Sequence, residues 1–169
     1  MRTPMTATQS LSEPKKILYA AAALSAAAAL IHLWVAPEHF EEWWGYGAFF
    51  AGAAVAQGAY AAALLYWSGQ WFLLLGVAGN SAIVLLYLVT RTLGVPFLGP
   101  EAGEVEGVGF LDVCAAASEV ALMCVLGGLI LWRLLRGNAA VVLIVLGVVL
   151  MVGVHVPHAF LLLKLMLQR

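Results

Sequence analysis

Five stretches of this chain run for about 20 residues or more with almost no charged side chain, at 17–36, 46–67, 71–91, 108–132 and 139–163. Backbone N–H and C=O groups surrounded by hydrocarbon must be satisfied within the segment, so an isolated apolar run of this kind has one stable conformation, the α-helix. A helix of about 20 residues also matches a hydrocarbon layer roughly 30 Å thick. The pattern therefore predicts an all-α integral membrane bundle of five transmembrane helices. It forms one domain over 17–169, preceded by a polar tail over 1–16.

Composition points the same way. Of 169 residues, 64% are hydrophobic and 10% are charged, which excludes an ordinary soluble domain and leaves no basic face for nucleic acid. Cys114 and Cys124 are ten residues apart in one run, so a helix holds them roughly 15 Å apart, too far for a disulfide. The tail "MRTPMTATQSLSEPKK" ends in Lys15 and Lys16 like the n-region of a signal peptide. The apolar run that follows is too long for one, so it reads as a retained first span, with cleavage near Ala36 left open.

Charge asymmetry sets the orientation. Arg2, Lys15, Lys16, Arg133 and Arg136 fall on one side and Arg91, Lys164 and Arg169 on the other, which predicts a cytoplasmic N-terminus in the inner (plasma) membrane. The acidic residues then collect on the extracytoplasmic side, in "APEHFEEWWGYG" and "RTLGVPFLGPEAGEVEG", while the turns "WSGQW" and "RLLRGN" on the inner side are short. Trp34, Trp43, Trp44 and Tyr46 near one face, and Tyr66, Trp67, Trp71 and Trp132 near the other, read as interfacial anchors. Gly and Ala recur in every span, most clearly in "AGAAVAQGAYAAA", which permits close helix packing in lipid.

Polar residues fall on one stripe per helix, since positions 3, 4, 7 or 11 apart share a face. Asp112, Glu119 and Met123 do so in the fourth span and Met151, His155 and His158 in the fifth. Asn80, Tyr87 and Arg91 form the stripe of the third span, Tyr46, Phe50 and Gln57 that of the second, and Ser25 and His32 that of the first. A lone Gln57, Asn80 or Ser25 is as well explained by a hydrogen bond to a neighbouring helix. Carboxylates are costlier: a charge at the bilayer centre costs about 2.5 to 3.5 kcal/mol, so Glu119 is predicted to be protonated, paired or ligating.

At about 1.5 Å per residue from the outer ends, His32, Asp112 and His158 lie at one depth, with His155 and Glu119 deeper. Pro157 lies between His155 and His158 and cannot donate to the Gly153 carbonyl, which predicts a kink opening the fifth helix beside the imidazoles. Imidazole with carboxylate suits zinc, copper or iron. The candidate metal ligands are therefore His32, His155, His158, Asp112 and Glu119. His39, Glu38, Glu42, Arg91, Asn80 and Tyr87 form the surrounding shell or mouth. The thioethers of Met123 and Met151 read as core filling that keeps copper in play. His39 reads as a loop residue, more solvated than ligating, and Glu101, Glu104 and Glu106 as a solvated loop able to attract cations.

Two versions follow: a transition metal with an open coordination position, or a b-type haem with His32 and one histidine of the fifth span as axial ligands and Arg91 on a propionate. "HVPH" matches no zincin motif. Whether the chain is an enzyme stays open. The rivals are a proton-linked transport module using Glu119, Asp112 and the histidines, and an accessory subunit docking a membrane-protein partner or another copy. Both lack metal.

The long loop, with two prolines and four glycines, reads as a lid over the mouth. Its sequence, continued as "RTLGVPFLGPEAGEVEGVGFLDV", together with "HLWVAPEHFEEWWGYG", resembles an uncharacterised family of small multi-pass bacterial membrane proteins. The resemblance covers about a quarter of the chain and implies an architecture, not an activity.

Overall fold

A computed structural model of the chain describes residues 15–96 and 99–137. They form four helices, α1 (Lys15–Glu42), α2 (Trp44–Leu64), α3 (Gln70–Thr92) and α4 (Phe110–Gly137). All four are long and apolar enough to cross a membrane. The expected fifth span, 139–163, lies outside the described residues, as do His155, His158, Met151 and most of the N-terminal tail. The chain divides into two compact units, residues 1–127 and 128–169. The first contains everything described below except the C-terminal part of α4.

The helices begin and end where local chemistry dictates, and one boundary differs from expectation. The segment "APEHFEE" was expected in a loop; it continues α1 to Glu42, with Pro37 inside the helix. An alanine-rich run favours helix strongly, and the imidazole of His39 bonds the Val35 carbonyl one turn back at 2.9 Å, which stabilises this last stretch. Only Trp43, in extended conformation, separates α1 from α2. Lys15 and Lys16 likewise belong to α1 rather than to the tail.

Beyond α3 the chain turns at Gly94, whose φ of +68° is left-handed and whose N–H reaches the Val89 carbonyl at 3.0 Å. A β-carbon at Gly94 would come within 2.6 Å of the Gly103 carbonyl oxygen, so the loop returns directly over this residue. Further bonds tie the loop back: Gly103 N–H to the Val95 carbonyl and Glu106 N–H to the Thr90 carbonyl. At the start of α4, Asp112 accepts from the Gly109 N–H at 2.9 Å, the reciprocal half of a capping box.

Small residues bring α1 and α2 into the closest contact. Ala21, Ala22, Ala28, Ala29 and Ala36 of α1 and Ala53, Ala54 and Ala61 of α2 are buried, the small-residue packing expected in lipid. Leucines Leu64, Leu73, Leu122 and Leu126 fill the core. Outward-facing positions are apolar as well, among them Leu30, Leu33, Trp34, Leu75, Leu85 and Trp71, which suits a surface facing hydrocarbon rather than water.

Candidate functional site

Four helices contribute to one buried hydrogen-bonded cluster. Ser25 and His32 come from α1, Gln57 from α2, Asn80 from α3 and Glu119 from α4, and each is 5% exposed or less. Gln57 is the hub. Its backbone carbonyl accepts from Ser25 Oγ at 2.8 Å, its side-chain Nε2 donates to Glu119 Oε1 at 2.8 Å and to Asn80 Oδ1 at 3.2 Å, and its Oε1 lies 2.8 Å from His32 Nδ1.

The polarity of this chain of bonds is fixed from one end. Asn80 Nδ2 donates to the Gly76 carbonyl at 2.8 Å. A carbonyl only accepts, so Asn80 must present Oδ1 to Gln57, and Gln57 must answer with Nε2. That leaves Gln57 Oε1 for His32, whose Nδ1 must then carry a hydrogen. In the neutral imidazole the lone pair is consequently on Nε2, 3.7 Å from Glu119 Oε1. Among the described residues, His32 Nε2 and Glu119 Oε2 make no hydrogen bond.

These two side chains form one wall of a cavity of about 660 Å³ that opens toward the α1–α2 junction and the α3–α4 loop. Its sides are apolar, with Ile31, Val35, Phe50, Ile83, Leu86 and Ala115. Phe50 lies against both imidazoles, with ring centroids 5.6 Å from His32 and 4.0 Å from His39. His39 is thus part of the cavity wall, not a solvated loop residue, because α1 extends far enough to carry it.

The mouth is acidic. Of the nine Asp and Glu residues in the chain, all except Glu13 and Glu41 line this cavity, against a single Lys or Arg, Arg91. Arg91 is already engaged: it pairs with Glu106 from the loop and with Asp112 of α4, the latter at 2.9 Å, and its guanidinium lies 5.3 Å from the centre of the Tyr87 ring. The loop glutamates read as merely solvated are therefore also cavity residues, and Glu106 is an ion-pair partner. Tyr46 holds the loop from the α2 side, its ring against Gly99 and its hydroxyl bonded to the Glu101 backbone.

The structure thus brings together His32, Glu119 and Asn80 at the floor and Arg91, Asp112, Tyr87, Glu38, Glu42 and His39 around the walls and mouth. Asp112 bonds Arg91 and the α4 start rather than His32 or Glu119. Among the described residues no three His, Cys, Asp or Glu side chains form a metal-holding group. Met123 accepts a hydrogen bond from Ser81 at 3.0 Å, away from the floor cluster. The sequence placed Gln57 on the polar stripe of the second span with a hydrogen bond to a neighbouring helix as one reading, which the structure bears out, but did not single it out as the hub. Its signal was a lone amide in an otherwise apolar, small-residue helix, which lets neighbouring helices approach closely enough to be bridged.

No family model matches the chain, and neither the curated proteins nor the solved structures contain a match to it.

Proposed function

We propose that the chain is a multi-pass plasma-membrane protein whose outer half binds a cation, with a transition metal at the floor of the cavity. The observation that carries this reading is the His32–Glu119 pair. Its imidazole presents a lone pair on Nε2, and Gln57 holds the opposite nitrogen as a hydrogen-bond donor, the arrangement by which outer-sphere carbonyls orient metal-ligating histidines. Two donors bound to one tetrahedral ion at about 2.1 Å stand roughly 3.4 Å apart, close to the 3.7 Å between Nε2 and Oε1. His155 and His158, the other histidines of the ligand set expected from the sequence, lie outside the described residues, and Asp112 serves the mouth.

The acid-lined entrance supports a cation over a haem. Propionates would meet a ring of carboxylates with Arg91 already committed to Glu106 and Asp112. Zinc, copper and iron all accept this donor set. The basic residues Lys15 and Lys16 start α1 and Arg133 and Arg136 end α4, which supports a cytoplasmic N-terminus and a cavity facing outward. A proton path to the other side is less well supported. One or two turns beyond the cluster on each helix, the buried residues are Ala21, Ala22, Leu64, Leu73 and Leu126.

Metal analysis by plasma mass spectrometry, with a visible spectrum of the same detergent-solubilised sample, tests this reading. Stoichiometric copper, zinc or iron that is lost in His32→Ala supports it. Stoichiometric metal unchanged in that variant, or protein that stays empty after reconstitution, refutes it.

A further inference from the structure

The cavity is far larger than a metal ion at its floor requires. At about 660 Å³ it falls in the range that holds small organic ligands, and its surface is divided along its length. Polar His32 and Glu119 close the deep end, Phe50, Ile83 and Leu86 form apolar sides, and carboxylates surround the opening. His32 and Glu119 are 3% and 1% exposed, yet each has a polar atom with no hydrogen bond among the described residues. Both side chains line the cavity, so its deep end presents an imidazole and a carboxylate to whatever enters. The rim adds a field of one sign, since Glu38, Glu42, Glu101 and Glu104 carry charges that Arg91 does not offset. Tyr46, Phe49 and Tyr87 put aromatic rings on the same lining, and the Arg91 guanidinium over Tyr87 shows that this wall accommodates a cation against a ring.

We infer that the cavity receives an amphipathic organic cation, an ammonium compound with an aryl or alkyl body. Its head lies among the carboxylates of the mouth, and its apolar body lies between Phe50, Ile83 and Leu86. This rests on the reading of the cavity as a cation site and gives it an organic ligand, but it does not require the floor metal.

Benzyltrimethylammonium is a suitable probe, because its charge is permanent and it partitions weakly into lipid. Binding is measured by calorimetry and saturation-transfer NMR on the full chain in zwitterionic nanodiscs, with empty nanodiscs as reference. Neopentylbenzene serves as the neutral isostere and phenylacetate as the anion. The expected result is saturable binding with the cation preferred by roughly tenfold or more, a preference that falls in high salt. Glu38→Gln with Glu42→Gln should remove most of that preference, and Phe50→Ala should weaken cation and isostere alike. No saturable binding, or equal affinity for cation and isostere, overturns the inference. The two readings fail separately: metal-free protein that binds the probe sinks only the metal, and metal-loaded protein that does not bind it sinks only the organic ligand.

Discussion

His32 and Glu119 face each other across 3.7 Å without a hydrogen bond between them, while one residue, Gln57, bonds both at 2.8 Å. The pair is therefore held apart as firmly as it is held together. Gln57 engages His32 Nδ1 and Glu119 Oε1, which leaves His32 Nε2 and Glu119 Oε2 without a hydrogen bond among the described residues.

Replacing Gln57 separates positioning from ligation. Gln57→Leu removes three side-chain bonds at once, and interhelical hydrogen bonds in membranes are worth about 0.6 kcal/mol on average and up to about 1.7. A loss of about 1 to 2 kcal/mol is expected in reversible unfolding in mixed micelles. Metal affinity should fall by about 10- to 100-fold, the usual cost of losing such an outer partner. His32→Ala should abolish binding altogether. Equal metal affinity in Gln57→Leu and the native chain would refute the positioning role.

Arg91 fastens the loop to two helices. Arg91→Gln leaves Glu106 and Asp112 without their ion pairs, and hydrogen bonds to charged groups contribute about 1.5 to 3 kcal/mol. Limited proteolysis of nanodisc-embedded protein should then cut the loop near residues 99–107 faster than in the native chain. Arg91→Lys should restore protection only in part, since one ammonium cannot reproduce a planar group that spans both carboxylates.

Two glycines with the same backbone handedness should differ in sensitivity. Gly94 and Gly103 both have positive φ, which costs a side-chain-bearing residue about 1 to 2 kcal/mol. At Gly94 the added carbon also meets the Gly103 and Glu104 carbonyl oxygens, whereas at Gly103 nothing lies within 4 Å. Gly94→Ala should therefore lower the unfolding midpoint distinctly more than Gly103→Ala. Equal shifts would mean that the loop does not press on Gly94.

Orientation is checked by labelling. In a background with Cys114 and Cys124 replaced by alanine, a cysteine at Glu104 should react in intact cells with a membrane-impermeant maleimide. One at Lys16 should react only after permeabilisation. The reverse pattern would place the acidic mouth in the cytoplasm.

Much of this arrangement was legible in the sequence because polar residues are conspicuous in helices this apolar. The stripes Ser25–His32, Asn80–Tyr87–Arg91 and Asp112–Glu119 follow helical spacing, and they do face one interior. Pairing was less legible. Depth counting set Asp112 level with His32, yet the long Arg91 side chain claims Asp112, and Glu119 approaches His32 instead. Counting rise along helices says nothing about how far a side chain extends or which neighbour it meets. The end of α1 was misplaced for a related reason. The segment after Val35 was placed in an outer loop, but the proline it contains, Pro37, removes only one backbone donor near the helix end, and the helix continues past it, with His39 bonded to the Val35 carbonyl.

The hydrogen-bond chain that sets the His32 tautomer ends on the carbonyl of Gly76, an atom of the main chain. No side-chain replacement at position 76 removes that oxygen. The direction of every donor from Asn80 to the imidazole is thus anchored to helix α3 itself, and the site inherits its polarity from the fold as long as the two amides remain. Side-chain changes can erase the message by removing Asn80 or Gln57, but they cannot easily reverse it.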